Sequence, residues 1–259
     1  MPEPGVSIVL IIFRERAQTD FPAVLQEIAD AGYQAIEGGN LYAQHGADQA
    51  RRLLDGVKLG ISGAHFGYGD YADPEKLSAN IAYAKAASVP NLICSGVAGN
   101  NIEGFKESAR VFNEVGKRAA AEGIKFNYHN HAWELDDLGG TCGMEILAQE
   151  TDPAYVGFNM DVYWLYYGLV DPAAFIRKHA DRAGYYHFKD GKRVVEPDGK
   201  VHAEFLPLGQ GDVDLKAAMQ AARECDPKWI VMEQDSTTLP HAEAIRISRN
   251  YMRDSLGLP

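Results

Sequence analysis

Short apolar or β-branched runs recur along the chain at residues 6–12, 34–37, 58–65, 91–95, 124–131, 155–161, 185–189 and 229–233. Runs of this length, closed off by turn residues, read as strands. The segments between them carry helical spacing instead. In "DFPAVLQEIADAGY" the apolar positions Val24, Leu25, Ile28 and Ala31 fall on one face, and Gly32 closes the turn. "DPEKLSANIAYAKAA" opens with Asp73 as N-cap and Pro74 at the first helical position, and "VDPAAFIRKHA" repeats that start at Asp171 and Pro172. "NIEGFKESARVFNEVGKRAAAEG" is a long helix ending at Gly123, while "DVDLKAAMQAA" and "LPHAEAIRISRNYMRDSL" complete the series.

Eight strands alternating with roughly eight helices predict parallel βαβ units. A single closed (β/α)8 TIM barrel over residues 1–259 uses the whole length without a linker. An open doubly wound sheet would normally carry a glycine-rich phosphate loop after its first strand, and "IIFRERAQTD" has none. One insertion, residues 190–212, follows the seventh strand and contains a hairpin turn at Asp198-Gly199. Its place suggests a lid.

Charge and cysteine content narrow the partners. With 25 basic against 36 acidic residues the net charge is −11, and no Lys/Arg cluster offsets it locally, so nucleic-acid binding is disfavoured. Cys94, Cys142 and Cys225 form no CxxC pair, which predicts free thiols in a reducing compartment. No apolar stretch reaches membrane-spanning length and "VSIVLII" lacks the marks of a signal peptide, so a cytoplasmic chain with no membrane partner is expected.

Candidate chemistry sits at the strand ends, where barrels of this type keep it. "KFNYHNH" alternates Asn127, His129 and His131 with Phe126 and Tyr128; "YVGFNMD" sets Asn159 and Asp161 on one parity. "YYHFKD" does the same with Tyr185, His187 and Lys189, and "WIVMEQD" with Glu233 and Asp235. Side chains alternate faces along a strand, so each of these strands sends polar groups to one face near its end. Any one of them could be a hydrogen-bonded core residue or a cap. Together His129, His131, Asp161, His187 and Glu233 favour a site, because unpaired burial of several such groups costs several kcal/mol. Mixed imidazole and carboxylate suits Mn²⁺, Zn²⁺, Co²⁺ or Mg²⁺, with manganese the first choice.

"NYHNHAWEL", "GFNMDVYWLYYGLVDPAAFIRKHADRAGYYHFKD" and "WIVMEQD" resemble the xylose isomerase-like barrel superfamily of sugar (phosphate) isomerases and epimerases. The resemblance implies one divalent metal held by two glutamates, an aspartate and a histidine. Asp161, His187 and Glu233 match three of those positions. At the fourth, where the epimerase branch has glutamate, this chain has His129, and Glu134 lies five residues on. Parity favours His129 and hardness favours Glu134; Glu134 is taken as the ligand, with His129, His131 and Glu233 as the proton-transfer groups. Glu37, His65, Trp164 and Lys189 are expected to contact substrate, although a structural partner is as good a reading for the first two, simple packing for Trp164 and an ion pair with Asp190 for Lys189. Arg182 is assigned no role in the chemistry. The resemblance also implies a homo-oligomer, dimer or tetramer.

The expected reaction is proton abstraction beside a carbonyl of a small-molecule sugar, giving an enediolate. Return of the proton makes a metal-dependent isomerase or epimerase. That is the first reading; the alternative is loss of a β-substituent, as in a dehydratase or 3-keto-glycoside lyase, an outcome that histidine in the place of a paired glutamate makes more plausible. A nuclease of the endonuclease IV type would need three metals and a basic rim, and a non-catalytic binding subunit would hold no metal tightly.

Overall fold

The computed structural model describes residues 3–38 and 45–259. Eight parallel strands close into a barrel: β1 (Gly5–Val9), β2 (Ala35–Glu37), β3 (Gly60–Gly67), β4 (Asn91–Ser95), β5 (Lys125–His129), β6 (Val156–Asp161), β7 (Tyr185–Phe188) and a last strand, Trp229–Met232. That last strand pairs with β7 on one side and β1 on the other, which closes the ring. The predicted (β/α)8 TIM barrel is the observed fold.

Helix starts follow local capping chemistry. Asp73 accepts hydrogen bonds from the Glu75 and Lys76 amides ahead of the helix Pro74–Ala87, and Asp171 does the same for Ala173 and Ala174 ahead of Pro172–Lys178. The helix Phe21–Ala31 ends at Gly32 with φ of +91°, a left-handed conformation that costs glycine little. Five further helices were not foreseen: Glu15–Thr19, Ala47–Val57, Tyr68–Ala72, Gly143–Glu150 and Val162–Tyr167.

The main core lies between the strands and the helical layer. A much smaller cluster, Val9, Ile93, Tyr185 and Val231, fills the barrel interior with Trp229 packed against it. Space for these inward side chains comes from small neighbours. A Cβ at Gly63 would collide with Ile93 and the Tyr185 hydroxyl, and one at Gly157 with the Asn127 amide. Above this layer the inward positions turn polar.

The insertion after β7 is an antiparallel hairpin, β8 (Asp190–Val195) and β9 (Val201–Leu206); Asp198-Gly199 lies in its turn, with Gly199 at φ +83°. Its base is tied down. The Asp190 carboxylate accepts the amides of Gly191, Gly209, Gly211 and Val213 at 2.8–3.2 Å. Tyr163 donates to the Lys192 carbonyl at 3.0 Å, and Phe205 packs edge-on against Tyr163 and Trp164. Among the described residues no helix is long and apolar enough to cross a membrane.

Candidate metal centre and its surroundings

Four strands deliver one donor each to the C-terminal mouth of the barrel. His129 ends β5, Asp161 ends β6, His187 lies on β7 and Glu233 follows the last strand. All four are buried, and one ligand atom from each lies within 4.8 Å of the others. Parallel register explains the convergence: Asp161 pairs with His187, and the Glu233 amide donates to the Phe188 carbonyl at 3.0 Å, so like-facing side chains end at one level.

The residues fit a divalent cation. His129 Nδ1 and Asp161 Oδ2 are buried without a hydrogen-bond partner, while His187 Nδ1 and Glu233 Oε2 lie in contact with each other. Buried polar atoms left unpaired in one place are costly unless they share a ligand. Two imidazoles with two carboxylates is a donor set suited to first-row divalent metals. Burial and the neighbouring His187 hold the His129 imidazole well below its usual pKa, so it is neutral and able to ligate.

Glu37, with His65 and His187, makes a second cluster, but here the groups satisfy one another. Glu37 is fully buried, and despite that burial its imidazole neighbours hold its pKa down at about 2. As an acceptor only, it accepts hydrogen bonds from His187 Nε2 at 2.7 Å, from the Tyr185 hydroxyl at 2.7 Å and from His65 Nδ1 at 3.0 Å. Glu37, expected to contact substrate, has these three protein partners, and its bond to His187 Nε2 fixes the His187 tautomer with Nδ1 turned to the cluster. Burial alone would lower the His187 pKa, but Glu37 and Glu233 on either side carry it up to about 10.

Glu134 does not join the four donors. The tight turn Trp133–Leu135 folds its buried carboxylate back beneath the loop, where it accepts the Tyr128 hydroxyl at 2.9 Å and the His131 amide at 2.8 Å. It also lies 3.6 Å from His131 Nδ1. Burial would lower the His131 pKa; Glu134 outweighs this and raises it. His131 stands beside the cluster, its ring 4.8 Å from that of His129 and 5.5 Å from that of Trp164. His65 flanks His129 as well, at 5.1 Å.

Lys189 is fully buried, 3.2 Å from Glu233 Oε1, 3.9 Å from Asp161 Oδ2 and in contact with Asp235 Oδ2. Its ammonium also sits 4.7 Å from the Trp164 ring and 4.9 Å from that of Phe205. The ion pair expected with Asp190 is not made, because Asp190 spends its oxygens on the hairpin base. Despite burial, the three carboxylates raise the Lys189 pKa, so the ammonium stays charged. Sequence reasoning missed Tyr128, Tyr185 and Asn130, whose side-chain oxygen accepts the Asp161 amide at 3.0 Å. Tyr128 read as a core aromatic and Tyr185 only as a member of the inward parity of β7, and the fold reveals their hydroxyl partners. Arg182 lies away from the cluster and braces the backbone through Ala148, Thr151 and Val156.

The family model described as xylose isomerase-like TIM barrel matches residues 25–255. An inosose dehydratase from Geobacillus thermodenitrificans is 26% identical, the match covering 92% of this chain and 90% of that protein. One from Clostridium beijerinckii is 25% identical, with 93% and 91% covered. A crystal structure of a sugar phosphate isomerase/epimerase from Parabacteroides distasonis superposes with a TM-score of 0.82 at 19% identity, covering 98% of this chain and 94% of that one. The breadth of the family match agrees with the barrel and with its polar mouth: this chain belongs to the xylose isomerase-like TIM barrel family.

Proposed function

We propose that the protein is a divalent-metal-dependent carbon–oxygen lyase. It would remove a proton beside a carbonyl of a sugar or cyclitol and then expel the β-oxygen substituent. The carrying observation is the convergence of four buried imidazole and carboxylate donors, one from each of four strands, within 4.8 Å of one another. The inosose dehydratases among the relatives support the lyase outcome. Manganese is the proposed ion, with zinc, cobalt or magnesium as substitutes.

His129, Asp161, His187 and Glu233 would hold the cation, which when bound supplies Lewis-acid polarisation of the substrate carbonyl. Glu37 keeps His187 in one tautomer, and Lys189 holds Glu233 Oε1 so that Oε2 faces the donors. His131 is the proposed proton carrier. Glu134 lies at its Nδ1, which leaves Nε2 to take the proton from carbon and return it to the departing oxygen. One base suffices for an elimination on a single face. His65 has its Nδ1 bonded to Glu37, and its Nε2 would bond a substrate hydroxyl. Trp164 would pack against the ring. A cytoplasmic location fits the free cysteines and the small-molecule chemistry.

Epimerisation is the second reading, and His65 favours it. It flanks His129, as His131 does, and two bases are what a two-faced proton transfer needs. Proton NMR in D₂O with a panel of keto-sugars and inososes tests both. The lyase reading expects deuterium uptake beside the carbonyl together with a new conjugated enone absorbance. Exchange with recovery of a diastereomer would establish the epimerase instead, and no exchange with manganese-loaded protein would refute both.

A further inference from the structure

Beside the interior cluster of Val9, Ile93 and Val231, four side chains make a continuous polar line across the barrel. It runs from Ser7 on β1 to Ser62 on β3, Tyr185 on β7 and Glu37 at the end of β2. All four are buried. Proton counting sets the direction of the bonds. A phenol has one proton to give, and the Glu37 carboxylate takes that hydrogen bond at 2.7 Å. At the 3.0 Å contact, Ser62 Oγ therefore donates to the phenol oxygen rather than to the Ile36 carbonyl at 3.2 Å, and Ser7 Oγ donates to Ser62 at 2.7 Å. Hydrogen bonds aligned in one sense polarise one another, so the last acceptor is held more firmly than by an isolated hydroxyl.

That last acceptor is shared with a ligand imidazole. Glu37 Oε2 takes both the Tyr185 hydroxyl and His187 Nε2, each at 2.7 Å, while Oε1 takes His65 Nδ1. Glu37 has no exposed surface, so solvent cannot stand in for a lost donor. A buried phenol does not need a carboxylate to be satisfied: Tyr33 and Tyr71 donate to the backbone carbonyls of Ile245 and Ile93, each at 3.0 Å. Tyr185 instead reaches the oxygen that orients His187, and Gly63 leaves room for its hydroxyl, since a Cβ there would collide with it. We propose that Tyr185 is a positioning residue for the metal centre. Its hydroxyl, backed by Ser62 and Ser7, holds the Glu37 carboxylate in the orientation that keeps His187 Nδ1 among the four donors. This rests on the metal-dependent reading and adds a layer beneath the site. Tyr185 acts through Glu37 and His187 alone and takes no part in making or breaking bonds.

Tyr185→Phe removes the hydroxyl and leaves the ring in the barrel interior. Manganese affinity, measured by dye competition, is expected to fall about tenfold, the lower end of the loss for a group behind a ligand. The visible absorption bands of the cobalt-loaded protein, which report ligand geometry, are expected to shift. Tyr128→Phe is the matched control. Tyr128 is as deeply buried and its hydroxyl also serves a carboxylate, Glu134, which lies outside the four donors. That variant should keep the parental manganese affinity and cobalt spectrum. Ser62→Ala, which removes the donor behind Tyr185, should lower the affinity by a smaller factor and shift the same bands. A tyrosine that only fills space predicts a less stable metal-free protein with parental affinity and spectrum, and that result for Tyr185→Phe overturns the inference. An equal loss of affinity in Tyr128→Phe overturns it too. If Tyr185→Phe does not fold, Ser62→Ala decides by the same two readouts: lower affinity with shifted bands supports the inference, and parental values for both overturn it. A parent protein that binds neither manganese nor cobalt would refute the metal-dependent reading itself and this inference with it.

Discussion

Glu134 and His129 show how much one side chain's direction decides. Both were eligible as the fourth donor, and only His129 points into the cluster, while Glu134 is bound by Tyr128 and the His131 amide. His129→Ala should therefore weaken manganese affinity by about a hundredfold or more, since even losing a group behind a ligand costs about 10–100-fold. Glu134→Gln should leave that affinity within about threefold and slow turnover instead; dye-competition titration beside steady-state rates separates the two. Lys189 carries an opposite expectation. Its ammonium competes with a cation for Glu233 and Asp161, so Lys189→Met should bind manganese about tenfold more tightly, given the strength of close charge pairs in a buried site. Turnover should nevertheless fall, as Glu233 loses the contact that orients it. Weaker binding in that variant, measured by the same titration, would mean the lysine only props up the fold.

Elements differ in how far the chain announces them. Helices beginning with Asp-Pro were legible because capping is local: Asp73 and Asp171 meet amides two and three residues away. The helix Val162–Tyr167 was not, since "VYWLYY" has no polar face to give it a period; it forms because Asp161 caps the Trp164 amide and the barrel buries Val162, Tyr163 and Leu165. Parity along β5, β6 and β7 was legible for the same reason as the caps. The role of Glu37 was not, because its partner His187 is 150 residues distant. At this scale the hairpin β8–β9 is clamped at its base. Asp190→Ala strips acceptors from four amides and should cost about 3 kcal/mol, allowing about 1–3 kcal/mol for a buried amide left unpaired and partial rescue by water. Hydrogen exchange should quicken at Gly191, Gly209, Gly211 and Val213 while the strands of the barrel stay protected.

For the molecule as a whole, the cluster is a local weakness that a cation would turn into a tie. Asp161 illustrates the weakness: its burial, which Lys189 only partly offsets, pushes its pKa up to about 7. Ligand binding stabilises the native state by about 2.7 kcal/mol at a hundred times its Kd. For a chain of this size each kcal/mol moves Tm by about 2–4 °C, so a chelator should lower Tm by about 5–11 °C and added manganese should restore it. An unchanged melting curve with and without chelator would argue that no ion is held at this site.

The ring-closing strand has a consequence for when such a centre can exist. His129, Asp161 and His187 stand on neighbouring strands, but Glu233 follows the strand that must slot between β7 and β1. Until that final segment docks, the would-be cage has an open side and Lys189 lacks both Glu233 and Asp235. A nascent chain short of its last fifty residues could be largely helical and sheeted yet still chemically inert; competence arrives at once, with the seam.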